Sequence, residues 1–250
     1  MKVSLMMDME YRADMAISFI QSLVFIFFNL TFYRVIIGEI GGLGDWNYWE
    51  MVLLFGAFTA LDGIFMAFIV SNVNGLGKLV NTGALDHYLV KPLDVQFYVS
   101  SRFVNYAEIL SILQGVILMG VALWKIRPNI GVLEVLLFLV TLVCSVLIYY
   151  AMGLMFNSIV FFTERGDEIS EIIFSLKQFA KLPNVYSGTV RYFFMFVTPL
   201  IFSSFVPAGV LIGHVSPAFI MYYIVITAVF VLTSRYFFKY CLSKYKSAGG

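Results

Sequence analysis

Residues 51–70 read MVLLFGAFTALDGIFMAFIV, twenty residues of which only Asp62 is charged. A bilayer core about 30 Å thick is crossed by an α-helix of about 20 predominantly apolar residues. Five more stretches of the chain reach that length, so the sequence predicts an all-α, polytopic membrane protein with six transmembrane helices. The predicted spans are residues 17–37, 51–70, 103–124, 131–162, 192–212 and 218–238.

The composition agrees with this prediction. Hydrophobic residues make up 61% of the 250 residues, and charged residues make up only 12%. Such a sequence is too apolar for a water-soluble domain of this length. We therefore interpret residues 1–250 as a single transmembrane domain.

The basic residues indicate how the spans are oriented. Six spans place both termini on one side of the membrane, and thirteen of the sixteen Lys and Arg residues fall in segments on that side. Since cytoplasmic loops carry an excess of Lys and Arg, the bias predicts that both termini are cytoplasmic. Trp46 and Trp49 are then expected to anchor the 38–50 loop at the outer interface. The basic residues predicted to be cytoplasmic are Lys2, Arg12, Lys78, Lys91, Arg102, Arg165, Lys177, Lys181, Arg191, Arg235, Lys239, Lys244 and Lys246.

Residues 71–102, between spans two and three, carry two short helical patterns. The first pattern is followed by Gly83, a residue suited to a left-handed helix cap, and the second stops at Lys91-Pro92. Helices of about two turns are marginal in water by themselves, so their apolar edges predict docking against another protein. The alternative is that they pack on the membrane surface or on neighbouring helix ends.

Residues 163–191, between spans four and five, show the pattern of an amphipathic helix. Apolar residues recur every three or four positions, acidic residues come early in the segment, and Lys177 and Lys181 come late. Pro183 prevents the helix from continuing. We expect this helix to lie flat at the inner membrane surface.

Four stretches resemble one family in the same order along the chain. They are GALDHYLVKPL at 83–93 with FYVSSRF at 97–103, FSLKQFAKLPNVY at 174–186, TPLIFSSFVPAGVLIG at 198–213, and KYKSAGG at 244–250. Together with six spans they are similar to the membrane subunits of bacterial type-2 ABC exporters. The resemblance implies a permease of the bacterial inner membrane that works with a second permease, identical or homologous, and with two cytoplasmic ATPase subunits.

The resemblance also implies roles for particular residues. It carries the ATPase-coupling role of the family's first cytoplasmic loop onto Gly83, Leu85, Asp86, Tyr88, Leu89, Lys91 and Pro92. Leu85 and Leu89 would press into a groove on the ATPase, and Asp86 or Lys91 would orient the contact by charge. The family also implies a bent or re-entrant outer segment before the last span, for which residues 199–217 supply Pro and Gly breaks. A merely kinked fifth helix is the alternative.

The chain itself carries no nucleotide-binding motif. The Gly77-Lys78 pair has Asn72 and Leu79 where a P-loop requires Gly and Ser or Thr. No cofactor is therefore expected in this chain, and ATP and Mg²⁺ are expected on the partner ATPase.

A secondary transporter driven by an ion gradient is the alternative function. Asp62 lies mid-span in the second predicted helix, and Glu108 lies near the cytoplasmic end of the third. Carboxylates inside a bilayer are costly and point to function. The competing interpretation is a structural hydrogen bond for Asp62 and an interfacial position for Glu108.

Other classes of function are disfavoured. His87 and His214 fall in loops on opposite faces, so no paired-His metal site is predicted. Neither a G-x-S-x-G nor an H-E-x-x-H motif is present, so the chain is not expected to be an enzyme. Lipids are expected partners, and nucleic acid is not. The residues do not distinguish a drug, lipid, peptide or glycan as the cargo.

Overall fold

The structure, a computed structural model, describes residues 12–41, 45–163, 175, 178–181, 196 and 198–245. The secondary structure of these residues is helical, and they contain no β-strand. The α-helices are α1 Arg12–Ile40, α2 Tyr48–Phe65, α3 Ser71–Val73, α4 Gly75–Asn81, α5 Asp86–Leu89, α6 Val95–Ser100, α7 Ile109–Ile126, α8 Val132–Ser158, α9 Phe202–Leu211 and α10 Pro217–Ser243.

Five helical stretches in the described residues are long and apolar enough to cross a membrane. They are Ile17–Glu39, Tyr48–Asn81, Tyr106–Ile126, Val132–Phe161 and Pro217–Ser243. They coincide with five of the six predicted spans, so a multi-pass helical membrane protein is confirmed. The second stretch runs beyond the predicted end at residue 70 because the helical backbone continues, after a π-helical turn at Met66–Val70, into α3 and α4.

The fifth predicted span, residues 192–212, is interrupted in its second half. Its described part is a ten-residue helix, α9, which is about 15 Å long and too short to cross a bilayer. A 3₁₀ turn, Pro199–Ile201, precedes it, and Thr198 has a non-helical backbone. This break lies where the Pro and Gly residues predicted either a bent or re-entrant segment or a kinked fifth helix. Residues 192–195 lie outside the described part, so the count of six spans stays a prediction.

The predicted amphipathic helix at 163–191 lies almost entirely outside the described residues. Within it, Gln178–Lys181 form a 3₁₀ turn. The hydroxyl of Tyr33 on α1 donates to the backbone carbonyl of Lys181 at 2.9 Å. This turn therefore touches the transmembrane bundle, and the rest of the segment remains a prediction.

Helices α2 and α7 pack together through small residues. A Cβ atom placed on Gly63 would lie 2.7 Å from the backbone nitrogen of Ile112, and one on Gly115 would lie 2.7 Å from Cα of Ala60. Only hydrogen fits at such sites. In lipid, burial of apolar surface contributes little to helix association, so close packing of the helix backbones is a main source of it.

The ends of the helices fall into two groups. At one end, which we call the Trp46 end, Asn47 caps α2 in a reciprocal capping box with Glu50. The opposite end, where α2 leads into residues 71–105, is called the connecting end, and those residues are called the connecting segment. Trp46 is buried within the protein, with its ring 5.6 Å from that of Phe205 on α9, and its position at the outer membrane interface stays a prediction. Trp49 is only partly buried, and Lys125 lies over its ring.

Candidate functional site

The connecting segment folds into a small helical unit. Helix α4 ends at Asn81, Gly83 adopts a left-handed backbone with φ of 69°, and α5 begins at Asp86. The predicted cap at Gly83 and the predicted stop before Lys91-Pro92 are both confirmed. The sequence patterns did not reveal α6, although Asp94 is a recognisable N-cap that accepts a hydrogen bond from the backbone N–H of Phe97.

Leu85 lies in the interior of this unit. It is fully buried in a cluster formed by the connecting segment and the ends of α8 and α10. The cluster consists of Leu76, Leu79, Leu85, Val99, Leu154, Val160 and Phe238. The expectation that the Leu85 side chain presses directly into a partner is therefore corrected: in this structure it attaches α5 to the transmembrane helices.

A set of apolar side chains projects outward instead. Leu89, Val90, Leu93 and Phe97 are exposed, and we call these four residues the apolar tip. Val90 is 84% exposed and Phe97 is 70% exposed. Of the two leucines predicted to make the contact, only Leu89 belongs to this surface. Phe97, on α6, is a further exposed apolar side chain that the sequence patterns did not single out.

Aromatic and basic side chains fix α5 against α6. The rings of Tyr88 and Tyr98 stack with centroids 4.3 Å apart. The ammonium group of Lys91 lies 5.0 Å from the Tyr88 centroid, and the Arg102 guanidinium lies 5.9 Å from that of Tyr98. A hydrogen bond with Tyr88 raises the pKa of Tyr98 above its ordinary value. Lys91 therefore helps to hold the unit together, in addition to carrying charge near the apolar tip.

The unit is attached to two transmembrane helices by polar contacts. The hydroxyl of Tyr150 on α8 accepts a hydrogen bond from Gln96 Nε2 at 2.9 Å and lies 2.8 Å from the hydroxyl of Ser100. Arg235 on α10 forms an ion pair with Asp94 at 3.4 Å. Both contacts connect α6 to helices that belong to the bundle, so displacement of α6 would be transmitted to them.

The π-helical turn that follows α2, Met66–Val70, supplies a third attachment. A π turn interrupts the regular helical hydrogen-bond ladder, and here the Ala67 carbonyl accepts the backbone N–H of Asn105 at 2.9 Å. Next to it, Asn72 makes a reciprocal pair with the backbone of Phe103, donating to its carbonyl and accepting from its N–H, each at 2.7 Å. The two ends of the connecting segment are thus joined at the point where it leaves α2 and enters α7.

The structure brings Asp62 and Glu108 to one pocket. Both line a space of about 460 Å³ between α1, α2 and the start of α7. The Glu108 carboxylate accepts a hydrogen bond from Ser111 at 3.0 Å. Sequence spacing could not place these carboxylates together, because they lie on different helices separated by the connecting segment.

Helix α9 is held inside the bundle by a polar network. Pro207 lacks the N–H that would bond the Ser203 carbonyl in a regular helix. The Ser145 hydroxyl on α8 donates to that carbonyl instead, at 2.7 Å. The Tyr223 hydroxyl on α10 lies 3.0 Å from Ser145 Oγ, and Ser203 Oγ donates to the Tyr149 hydroxyl. Side chains on two long helices therefore stabilise the short, proline-containing helix.

Within the described residues, no cluster of three or more His, Cys, Asp or Glu side chains is arranged to hold a metal ion. The geometry defines a multi-pass helical membrane protein with a compact helical unit between its second and third helices. A model of the family described as ABC-2 family transporter protein matches residues 23–249, and the chain belongs to that family. The family is one of transport membrane subunits, which are not themselves catalytic. Neither the curated proteins nor the solved structures contain a match.

Proposed function

We propose that this chain is the permease subunit of an ATP-binding cassette exporter and that its connecting segment couples it to a separate ATPase subunit. The family supports an exporter permease. The apolar tip is the observation that supports the coupling role, because four exposed apolar side chains on one small helical unit match the composition of a protein interface. In this proposal ATP and Mg²⁺ bind the partner, two ATPase subunits serve two permeases, and the complex lies in the bacterial inner membrane.

Coupling proceeds through the attachments of the connecting segment. Movement of the ATPase displaces the apolar tip, and with it α5 and α6, which are joined by the Tyr88–Tyr98 stack. The contacts of α6 with Tyr150 and Arg235 transmit this displacement to α8 and α10. The secondary transporter that uses Asp62 and Glu108 gains no support from the family match.

The coupling role is tested by placing charge on the apolar tip. We expect the double variant Leu89→Asp and Leu93→Asp to reach the membrane normally and to lose its ATPase on purification, since an unpaired charge in an interface costs several kcal/mol. The double variant Asn81→Asp and Thr82→Asp is the matched control, because it adds the same two charges to exposed positions of the same segment outside the tip. Co-purification of ATP hydrolysis activity from native membranes is the measurement.

Leu85→Asp separates packing from docking. Because Leu85 is fully buried, this variant should lower the thermal stability of the purified permease itself, whereas the Leu89/Leu93 variant should not. A Leu89/Leu93 variant that keeps its full ATPase activity contradicts the coupling role. Wild-type protein that never brings down an ATPase contradicts the exporter proposal as a whole.

The orientation is part of the same proposal. The excess of Lys and Arg supports cytoplasmic placement of the connecting end and external placement of the Trp46 end. A cysteine at the exposed Asp45 should react with an impermeant thiol reagent in intact cells. Asn47 is unsuitable because its side chain caps α2. Labelling that requires permeabilised cells would reverse the topology.

A further inference from the structure

We propose that the stacked rings of Tyr88 and Tyr98, with Lys91 and Arg102 beside them, bind the phosphate of an acidic phospholipid headgroup. We call these four residues the cationic stack. The family match assigns no ligand to them. A lipid bound there would be additional to an ATPase docked on the apolar tip.

Both cations lie beside the stack. The Lys91 ammonium group lies 5.0 Å from the Tyr88 centroid and 5.6 Å from the Tyr98 centroid. The Arg102 guanidinium lies 5.7 and 5.9 Å from the same two centroids. Because the centroids are 4.3 Å apart, a cation centred over an outer face of the stack would lie much closer to one ring than to the other. The ring faces, which attract cations most strongly, therefore offset only part of these two charges.

The two cations also lack an acidic counterpart. Neither Lys91 nor Arg102 forms a salt bridge with a carboxylate in the part of the chain that the structure describes. Asp94, which lies between them in sequence, is paired with Arg235 on α10 instead. Two positive charges held beside the same pair of rings repel each other, so an anion that contacts both is favoured.

The tyrosines supply a hydrogen-bond donor to such an anion. The hydroxyls of Tyr88 and Tyr98 are hydrogen-bonded to each other. That bond uses the proton of one hydroxyl and leaves the other O–H available to an acceptor. Phosphate oxygens accept strong hydrogen bonds from guanidinium, ammonium and hydroxyl groups. A phosphate therefore fits all the polar groups of the cationic stack.

The position of the cationic stack favours a lipid over a soluble anion. Arg102 precedes the membrane-spanning stretch Tyr106–Ile126 by four residues. That stretch of 21 residues is about 30 Å long, which matches the hydrocarbon core of a bilayer. The backbone N–H of Asn105 bonds the carbonyl of Ala67 on the π-helical turn, so the chain is still beside a membrane helix at this residue. We therefore expect Arg102 at the level of the lipid headgroups.

An exposed apolar stripe begins at the same end of α7. Ile109, Leu113 and Val116 are exposed and recur at spacings of four and three residues, so they share one face of the helix. Phe103 is also exposed, and its ring centroid lies 4.7 Å from the Arg102 guanidinium. Apolar surface for acyl chains and cations for a phosphate thus occur together. A phospholipid uses both surfaces, whereas an acidic protein surface would use only the cations.

The experiment compares an acidic and a zwitterionic phospholipid with the same acyl chains, phosphatidylglycerol and phosphatidylcholine. Native mass spectrometry counts each lipid that the purified full chain retains during a titration. We expect one saturable site for phosphatidylglycerol. Its affinity should fall about tenfold or more in Lys91→Gln and in Arg102→Gln, the loss expected for one charged contact. Lys91→Arg and Arg102→Lys keep the charges and should keep most of the affinity.

Lys244→Gln is the matched control. Lys244 is exposed and lies 5.8 Å from the centroid of a single ring, that of Tyr240. The adjacent Tyr245 packs against the cluster that contains Leu85, so this variant removes the same charge from the same end of the bundle. It should retain phosphatidylglycerol as the wild type does. An equal loss of affinity in Lys244→Gln would indicate diffuse attraction to basic residues and overturn the site.

Thermal unfolding separates a lost site from a lost fold. A ligand that binds only the folded state stabilises it. Phosphatidylglycerol should therefore raise the unfolding temperature of the wild type and of the two charge-conserving variants, but not that of the two glutamine variants. A wild type that phosphatidylglycerol does not stabilise, or that phosphatidylcholine stabilises equally, contradicts the proposal.

Two other occupants of the cationic stack are distinguished in the same way. Stabilisation by inorganic phosphate as strong as that by the lipid would assign the site to a soluble anion. Loss of the ATPase from the glutamine variants, with lipid binding unchanged, would assign the site to the ATPase interface. Either result overturns the lipid site. The lipid measurements contain no ATPase, so their failure leaves the coupling role of the apolar tip intact, and failure of ATPase co-purification leaves the lipid site intact.

Discussion

Helices α1 and α2 have similar composition and opposite environments. The span in α1 has a mean hydropathy of 1.7 and only 11% of it is buried, while the span that begins with α2 has a mean hydropathy of 2.1 and is 78% buried. Hydropathy therefore identified both as spans without indicating which one is central. The difference lies in side-chain size, because α2 carries Gly56, Ala60 and Gly63 where α7 approaches, and the middle of α1 carries bulky Phe residues.

This comparison shows how position in a membrane bundle is decided. Lipid is as apolar as a helix surface, so burial by itself gives little advantage to a helix. Shape complementarity then decides, and small residues permit the closest approach. The face of α1 that includes Phe27 and Phe28 is exposed in the isolated chain.

The largest effect is expected at the closest contact of the core. Gly115→Leu cannot be accommodated against the backbone of Ala60, so α2 and α7 must separate. We expect most of the protein to be lost as aggregate on detergent extraction, measured by size-exclusion chromatography. Gly120→Leu on the same helix has open space around it and should behave as wild type. Equal yields of the two variants would show that small-residue packing does not hold the bundle.

A direct test of the comparison truncates one phenylalanine in each helix. Phe55 on α2 is fully buried and Phe28 on α1 is 65% exposed. Phe55→Ala should destabilise the purified chain by about 3 kcal/mol, and Phe28→Ala by less than about 0.5 kcal/mol. Thermal unfolding in detergent compares the two variants. A large loss from Phe28→Ala would reveal that α1 is covered in the purified protein, as a second copy would cover it.

A smaller effect concerns the hydrogen bond that compensates for proline. Ser145→Ala leaves the Ser203 carbonyl without its donor and should cost about 1–3 kcal/mol. In a Pro207→Ala background the cost should shrink, because an alanine at this position restores a backbone N–H to that carbonyl. Thr31→Ala on the exposed α1, where the hydroxyl bonds only its own helix, is the control and should be nearly neutral. Identical losses in both backgrounds would contradict the compensation.

The sequence predicted much of the connecting segment because its signals are local. The left-handed turn at Gly83 follows from the freedom of glycine, and the end of α5 follows from Lys91-Pro92. The position of Leu85 was not predictable in this way. Its spacing fits an outward apolar edge as well as an inward one, and only the packing of Leu154 and Phe238 onto the segment placed it inside.

The sequence by itself determined the class of protein, because segment length and hydropathy are properties of single helices measured against a bilayer of fixed thickness. It also identified the family through motifs in order along the chain. Tertiary structure decided which helix is central, which leucine is exposed, and that Asp62 and Glu108 share a pocket. These features depend on contacts between residues distant in sequence. In a lipid bilayer, such contacts are selected by how closely two helices can pack. Hydropathy does not encode this property.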